Sequence, residues 1–257
     1  MRELFDMRTR AMRRDRAARV GAELFLLERA FADCLERVSL VHRRFERALL
    51  LGCPHPAWPE RLGPFSATIE ARDPGPLFAS AAAGELLVED AWEPVPGTYD
   101  LVLAVGTLDT INELPLALGL IRRSMRDDGL LLGALPGGDT LPQLRNAMRA
   151  ADAVGRIAVP HVHPRIEASA LAPLLSGAGF AHPVVDIDRV AVSYPSLNRL
   201  VDDLRRMAAT NILRSRPRFM DRRARAAAVQ SFAAAGEHGR TIETFEILHF
   251  AAWAGRR

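Results

Sequence analysis

Cysteine is scarce in this chain, with only Cys34 and Cys53 among its 257 residues. Two thiols so far apart exclude a disulfide framework and give no basis for a zinc site. No stretch comes near the roughly 18 uninterrupted apolar residues of a membrane-crossing helix, so no transmembrane segment is expected. The first residues, Met1 to Arg19, are basic but carry no apolar signal-peptide core. The expected location is therefore the cytoplasm, with a peripheral position at the inner face of the membrane left open. Lysine is absent, so arginine carries all of the basic charge, and the net charge of +3 is small. The arginine-rich stretches, Arg8 to Arg19 and Arg214 to Arg225, lie near the ends rather than on one concentrated basic face, which does not favour nucleic acid. They read as solvated helix faces, or as contacts to an anionic partner or membrane surface. No Ser-His-Asp order or nucleophile elbow occurs, and neither cysteine has an activating context.

What is present is an ordinary globular composition, 49% hydrophobic and 25% charged, long enough for one large domain with a substantial core. Leu24, Leu27, Phe31 and Leu35 recur at helical spacing, which predicts a helix over Thr9 to about Val38. Short apolar runs follow as strands at 47–52, 67–71, 84–88, 98–105 and 130–135, with a turn at Asp127–Gly129. A helix to Met125 is expected to be capped by Asn112, with Pro115 in its first turn. Further on, helices are expected at 141–153, 167–176, 196–209 and 221–235, and strands at 184–192 and 241–253. Strands alternating with helices predict a parallel sheet with right-handed crossovers.

Several segments carry a resemblance. The opening Leu4–Arg19, Gly137-Gly-Asp-Thr-Leu141 followed by Leu144-Arg145, His161-Val-His-Pro164, Val192-Ser-Tyr-Pro195, and Val201 to Ala208 followed by Asn211 resemble blocks of one family. It is the methyltransferase-like family of respiratory complex I assembly factors, mitochondrial and alphaproteobacterial. A more distant similarity is to the malonyl-carrier methyltransferase of biotin synthesis. The resemblance implies an α/β, Rossmann-like class I methyltransferase fold: a mostly parallel seven-stranded sheet with an antiparallel last strand and helices on both faces. It also implies S-adenosyl-L-methionine as cofactor and a protein or acyl-carrier substrate. The partner could be a complex I subunit; the mitochondrial member of the family hydroxylates an arginine of one. The expected organisation is an N-terminal helical arm at 1–46 and a methyltransferase-like domain at 47–257, with helical additions at about 138–180 and 195–238.

The cofactor of that fold sits at the carboxyl ends of adjacent parallel strands. The family pattern after strand 1 is an acidic residue followed by three alternating glycines, where this chain has Leu50-Leu51-Gly52-Cys53-Pro54-His55-Pro56. Only Gly52 matches, and proline supplies neither close backbone approach nor an amide donor. Pro59 predicts a first crossover helix that is shortened or replaced by a loop. Asp73 stands where a carboxylate accepts the ribose hydroxyls, or is a plain loop carboxylate. Glu89 and Asp90 are candidates for the adenine contact, and Cys53, Ala91 and Val105 complete the expected cofactor set. Asp109-Thr110 replaces a His-Trp pair of the family.

On the substrate side the candidates are Gly138, Asp139, Thr140, Arg145, His163 and Tyr194. Asp139 or Thr140 is expected first as the N-cap of the next helix. Arg145, Asp203 and Asn211 could form a polar rim, and Tyr194 could contact substrate or simply pack. His161 and His163, at i and i+2 without a supporting pattern, do not predict a metal. Two functions remain open. One is a methyltransferase, for which proximity and a sulfonium leaving group would suffice without a conspicuous base. The other is a degenerate, non-catalytic assembly or regulatory binding protein.

Overall fold

The computed structural model describes residues 3–155, 159–215 and 220–255. The chain divides into two compact units. One comprises residues 24–136, 166–188 and 247–257, and the other residues 1–23, 137–165 and 189–246.

The first unit is built on a sheet whose strands are β1 (Phe45–Leu51), β2 (Ser66–Asp73), β3 (Glu85–Leu86), β4 (Tyr99–Val105), β5 (Met125–Pro136), β6 (Phe180–Tyr194) and β7 (Thr241–Ala254). The order is β3-β2-β1-β4-β5-β7-β6. Strands β1 to β5 pair in parallel, and β7 enters antiparallel to β5, with Leu132 opposite Ala251. This is the sheet that the resemblance implies. β4 is buried along its whole length, which explains its unbroken apolar run Leu101–Val105. At Asp127–Gly129 the expected turn is instead a bulge within β5, with Asp128 at φ +58° and the register with β4 shifting there.

Helices α2 (Phe25–Ser39), α3 (Trp58–Leu62), α4 (Pro76–Ala81), α5 (Leu114–Ser124) and α7 (Ala168–Gly177) belong to this unit. The single expected helix from Thr9 to Val38 is two, because Gly21 at φ +83° ends α1 (Met7–Val20) before α2 begins. The apolar spacing that suggested one helix belongs to α2 alone. Asn112 is not the cap of α5: Glu113 holds that position, and its amide donates to Asp90 Oδ2 at 3.3 Å. α3 has five residues, the short crossover that Pro59 foreshadows. Trp58 compensates for its brevity. Its ring is fully buried, stacks on Phe31 of α2 at 4.2 Å, and donates Nε1–H to Glu28 at 2.6 Å. α2 is held further by polar side-chain contacts. Arg29 pairs with Asp188 of β6, and buried His249 of β7 has Nδ1 at 2.9 Å from Asp33.

The second unit contains α1, α6 (Pro142–Gly155), α8 (Leu197–Arg206) and α9 (Arg222–Ala234). Ser196 and Asp221 cap α8 and α9 by accepting from the amides of Arg199 and Ala224. Its interior includes Phe5, Ile212 and Leu213, with Phe5 and Leu213 joined by an antiparallel bridge.

Candidate functional site

The six cofactor candidates all fall in the first unit, at the carboxyl ends of its strands, and the six substrate-side candidates all fall in the second.

At the first site the chain bends out of β1 at Gly52, φ +85°. A Cβ there would lie 2.3 Å from the carbonyl oxygen of Val105 and 2.5 Å from the Thr107 methyl. Glycine is therefore demanded by the protein's own β4 loop. The next amide, of Cys53, donates to Asp73 Oδ2 at 2.9 Å, and Gly75 N–H donates to Asp73 Oδ1 at 2.7 Å. Asp73 is completely buried. The Asp73 carboxylate thus ties the β1 loop to the β2 loop, each oxygen held by a backbone amide. Gly52 N–H also bonds across, to the carbonyl of Arg72 at 2.8 Å. Cys53 and Val105 are buried, as is Glu89. Asp90 holds the start of α5 through Glu113, and Ala91 turns back so that its amide meets the Val88 carbonyl. Asp109 and Thr110 lie in a 3-10 turn, Leu108–Thr110. Trp92, which the sequence did not single out, lies under the Arg72 guanidinium at 5.4 Å and packs on the core.

These residues lie at the carboxyl ends of β1, β2 and β4 or in the loops that follow the strands, where this fold binds its cofactor, and the groups around them depart from the family pattern. Pro54 and Pro56 supply no amide, Leu50 is a buried apolar residue where the pattern is acidic, and the Asp73 oxygens face inward to protein amides.

The second unit gathers the blocks that carry the family resemblance. Thr140 Oγ1 donates to the Glu246 carbonyl at 3.0 Å and accepts Glu246 N–H at 3.1 Å. The expected cap by Asp139 or Thr140 is not made. Glu243 of β7 takes that role, accepting from Gln143 and Leu144 at the start of α6. Arg145 donates to the carbonyls of Thr140 and His163, each at 3.2 Å. His163 Nε2 accepts Ile212 N–H at 2.9 Å, while His161 Nε2 meets Asp152 Oδ1 at 2.7 Å, so the two imidazoles serve separate partners. Asn211 bridges the Pro160 carbonyl and the Leu213 amide. Asp6 accepts from Thr9 at the start of α1 and donates its amide to the Ile212 carbonyl. Tyr194 is buried, and burial together with the neighbouring Asp203 carboxylate raises its phenol pKa far above the ordinary value. Gly138 and Asp139 lie beside these groups, with Asp139 exposed and paired to Arg189 at 3.1 Å. Glu243 and Glu246 were missed in the sequence. The available signal was two carboxylates inside a largely apolar strand.

A model of the methyltransferase domain matches residues 23–183. The arginine-hydroxylase NDUFAF5, mitochondrial, of Danio rerio is 31% identical over 89% of this chain and 75% of its own length. The malonyl-[acyl-carrier protein] O-methyltransferase of Laribacter hongkongensis is 32% identical over 69% of this chain and 58% of its own. Among solved structures, YcgJ of Bacillus subtilis superposes with a TM-score of 0.58 at 12% identity, over 86% of this chain and 97% of its own. Phosphoethanolamine N-methyltransferase 2 of Haemonchus contortus, solved with S-adenosyl-L-methionine, gives 0.50 at 11% identity, over 87% and 53%. Those two likenesses concern the fold. The chain belongs to the methyltransferase-domain family and, within it, to the family of the arginine-hydroxylase NDUFAF5.

Proposed function

We propose that this protein acts on a protein partner, as an assembly or regulatory member of the methyltransferase family whose cofactor end is latched shut. A respiratory complex I subunit is the partner to test first, given the similarity to NDUFAF5. The observation that carries the latch is Asp73, fully buried, with one carboxylate oxygen on Cys53 N–H and the other on Gly75 N–H. Ribose hydroxyls need those same oxygens. Because Asp73 is completely buried, a cofactor that meets its oxygens must part the two loops that these bonds hold together, at roughly 1.5–3 kcal/mol each. The loop offers little in exchange, because Pro54 and Pro56 have no amide to give.

No helix among the described residues is long and apolar enough to cross a membrane. A place in the cytoplasm or at the membrane face accordingly belongs to the same proposal.

A second reading has its own support: S-adenosylmethionine bound at Gly52, Cys53, Asp73, Asp90, Ala91 and Val105, with a protein substrate modified. All six positions lie at the carboxyl ends of strands or in the loops that follow them, where this fold binds its cofactor. When bound, S-adenosylmethionine supplies an activated methyl on a sulfonium, and the residues' task would be alignment.

Residue-level hydrogen exchange separates the readings. A latched loop keeps the Cys53 amide protected, unchanged by S-adenosylmethionine. A cofactor that opens the loop would alter exchange at Cys53 and Gly75 together, and that result would favour catalysis.

A further inference from the structure

The second unit contains a concavity of about 410 Å³ whose lining includes Thr140, Arg145, Asn146, Arg149 and Arg189. Arg145 and Arg149 are four residues apart on α6, so their side chains share one face of the helix. Their hydrogen-bond partners are all neutral. Arg145 donates to the carbonyls of Thr140 and His163, each at 3.2 Å, and Arg149 donates to the Asn146 side-chain oxygen at 2.9 Å. Among the described residues neither guanidinium has a carboxylate within ion-pair distance.

The carboxylates nearby are already engaged. Glu243, which acts on Arg145, accepts from the amides of Gln143, Leu144 and Thr244. Asp139 and Glu246 both pair with Arg189, at 3.1 and 3.0 Å. Positive charge is left in excess at the Arg145–Arg149 end. Burial, followed by the neighbouring Arg165 and Arg149, lowers the Arg145 pKa below its ordinary value. A half-buried cation with neutral partners is unfavourable unless an anion balances it. Two guanidinium forks on one face match the paired oxygens of a carboxylate or phosphate. The volume falls within the range of small-ligand pockets, roughly 300–1,000 Å³.

We propose that this concavity is an oxyanion site, in which Arg145 and Arg149 together hold a carboxylate or phosphate group. The oxyanion could be a free anion or an acidic side chain of a protein partner; the chemistry at the two arginines is the same. The site does not depend on the state of the cofactor end.

The test uses the full chain at low ionic strength, titrated separately with inorganic phosphate and with a glutamate-rich peptide. At least one probe is expected to bind saturably, and Arg149→Gln, at an exposed position that folding tolerates, should weaken it about tenfold. Arg145→Lys keeps the charge but loses the fork, and should also weaken binding. Arg205→Gln, which removes an exposed arginine paired with Asp202, should leave it unchanged. Binding of phosphate alone identifies a free anion, and binding of the peptide alone identifies an acidic partner segment; either supports the site. No saturable binding of either probe, or equal affinity in the Arg149→Gln and Arg205→Gln variants, would overturn it.

Discussion

Asp73 shows how one buried carboxylate can tie two loops together. Its buried oxygens accept from Cys53 and Gly75, so Asp73→Ala removes two charge-assisted acceptors at once. The expected loss is about 3 kcal/mol, read as a lower urea midpoint at unchanged slope. A loss below about 0.5 kcal/mol would show that the two loops do not depend on the latch. Gly52→Ala should destabilise comparably. Its φ of +85° and the Val105 carbonyl 2.3 Å from the added Cβ leave no relaxed position for a side chain. Position and residue type at both sites were legible in the sequence, since Gly52 and Asp73 stand out at strand ends. Their partners were not, because the bonds that occupy Asp73 depend on how two loops meet.

Elements were read well where their signals are local. The strands β1, β4 and β7, the helices α8 and α9, and the brevity of α3 all follow from runs and prolines inside each segment. The break at Gly21 was hidden because no apolar spacing distinguishes α1 from α2. The caps at α5 and α6 were misassigned for a different reason. Asp90 lies 23 residues from the amide it accepts, and Glu243 about a hundred from its pair, beyond any local pattern. α3 supplies the prediction at this scale. Trp58 is fully buried against Phe31 and bonded to Glu28, so Trp58→Ala should cost about 3–5 kcal/mol. Trp58→Phe keeps the stacking and loses the N–H bond, and should cost clearly less in the same denaturation experiment.

Across the whole molecule, stability should fall on the alkaline side. Burial pushes the Cys34 thiol up to about 12, from an ordinary value of 9.0. Burial and then Glu70 push the Tyr99 phenol to about 12, from 10.0. Both groups stay protonated in the folded chain while the unfolded chain already releases its protons. The unfolded state therefore gains relative stability as pH rises from about 9 towards 12. Melting temperatures across that interval should decline, with a gentler decline in Cys34→Ala. A profile as steep in that variant as in the parent would remove Cys34 from the account. The same scale shows where family identity resides. Thr140, Arg145 and His163, from the blocks that carry the resemblance, are joined by hydrogen bonds within the second unit, whereas the first unit carries the sheet and a β1 loop with Pro54 and Pro56 where the family pattern has glycine. Isothermal titration of the full chain with S-adenosylmethionine tests the latched cofactor end most directly. The account predicts no saturable heat up to about 1 mM, whereas one-site binding in the micromolar range, lost in Asp73→Ala, would contradict it.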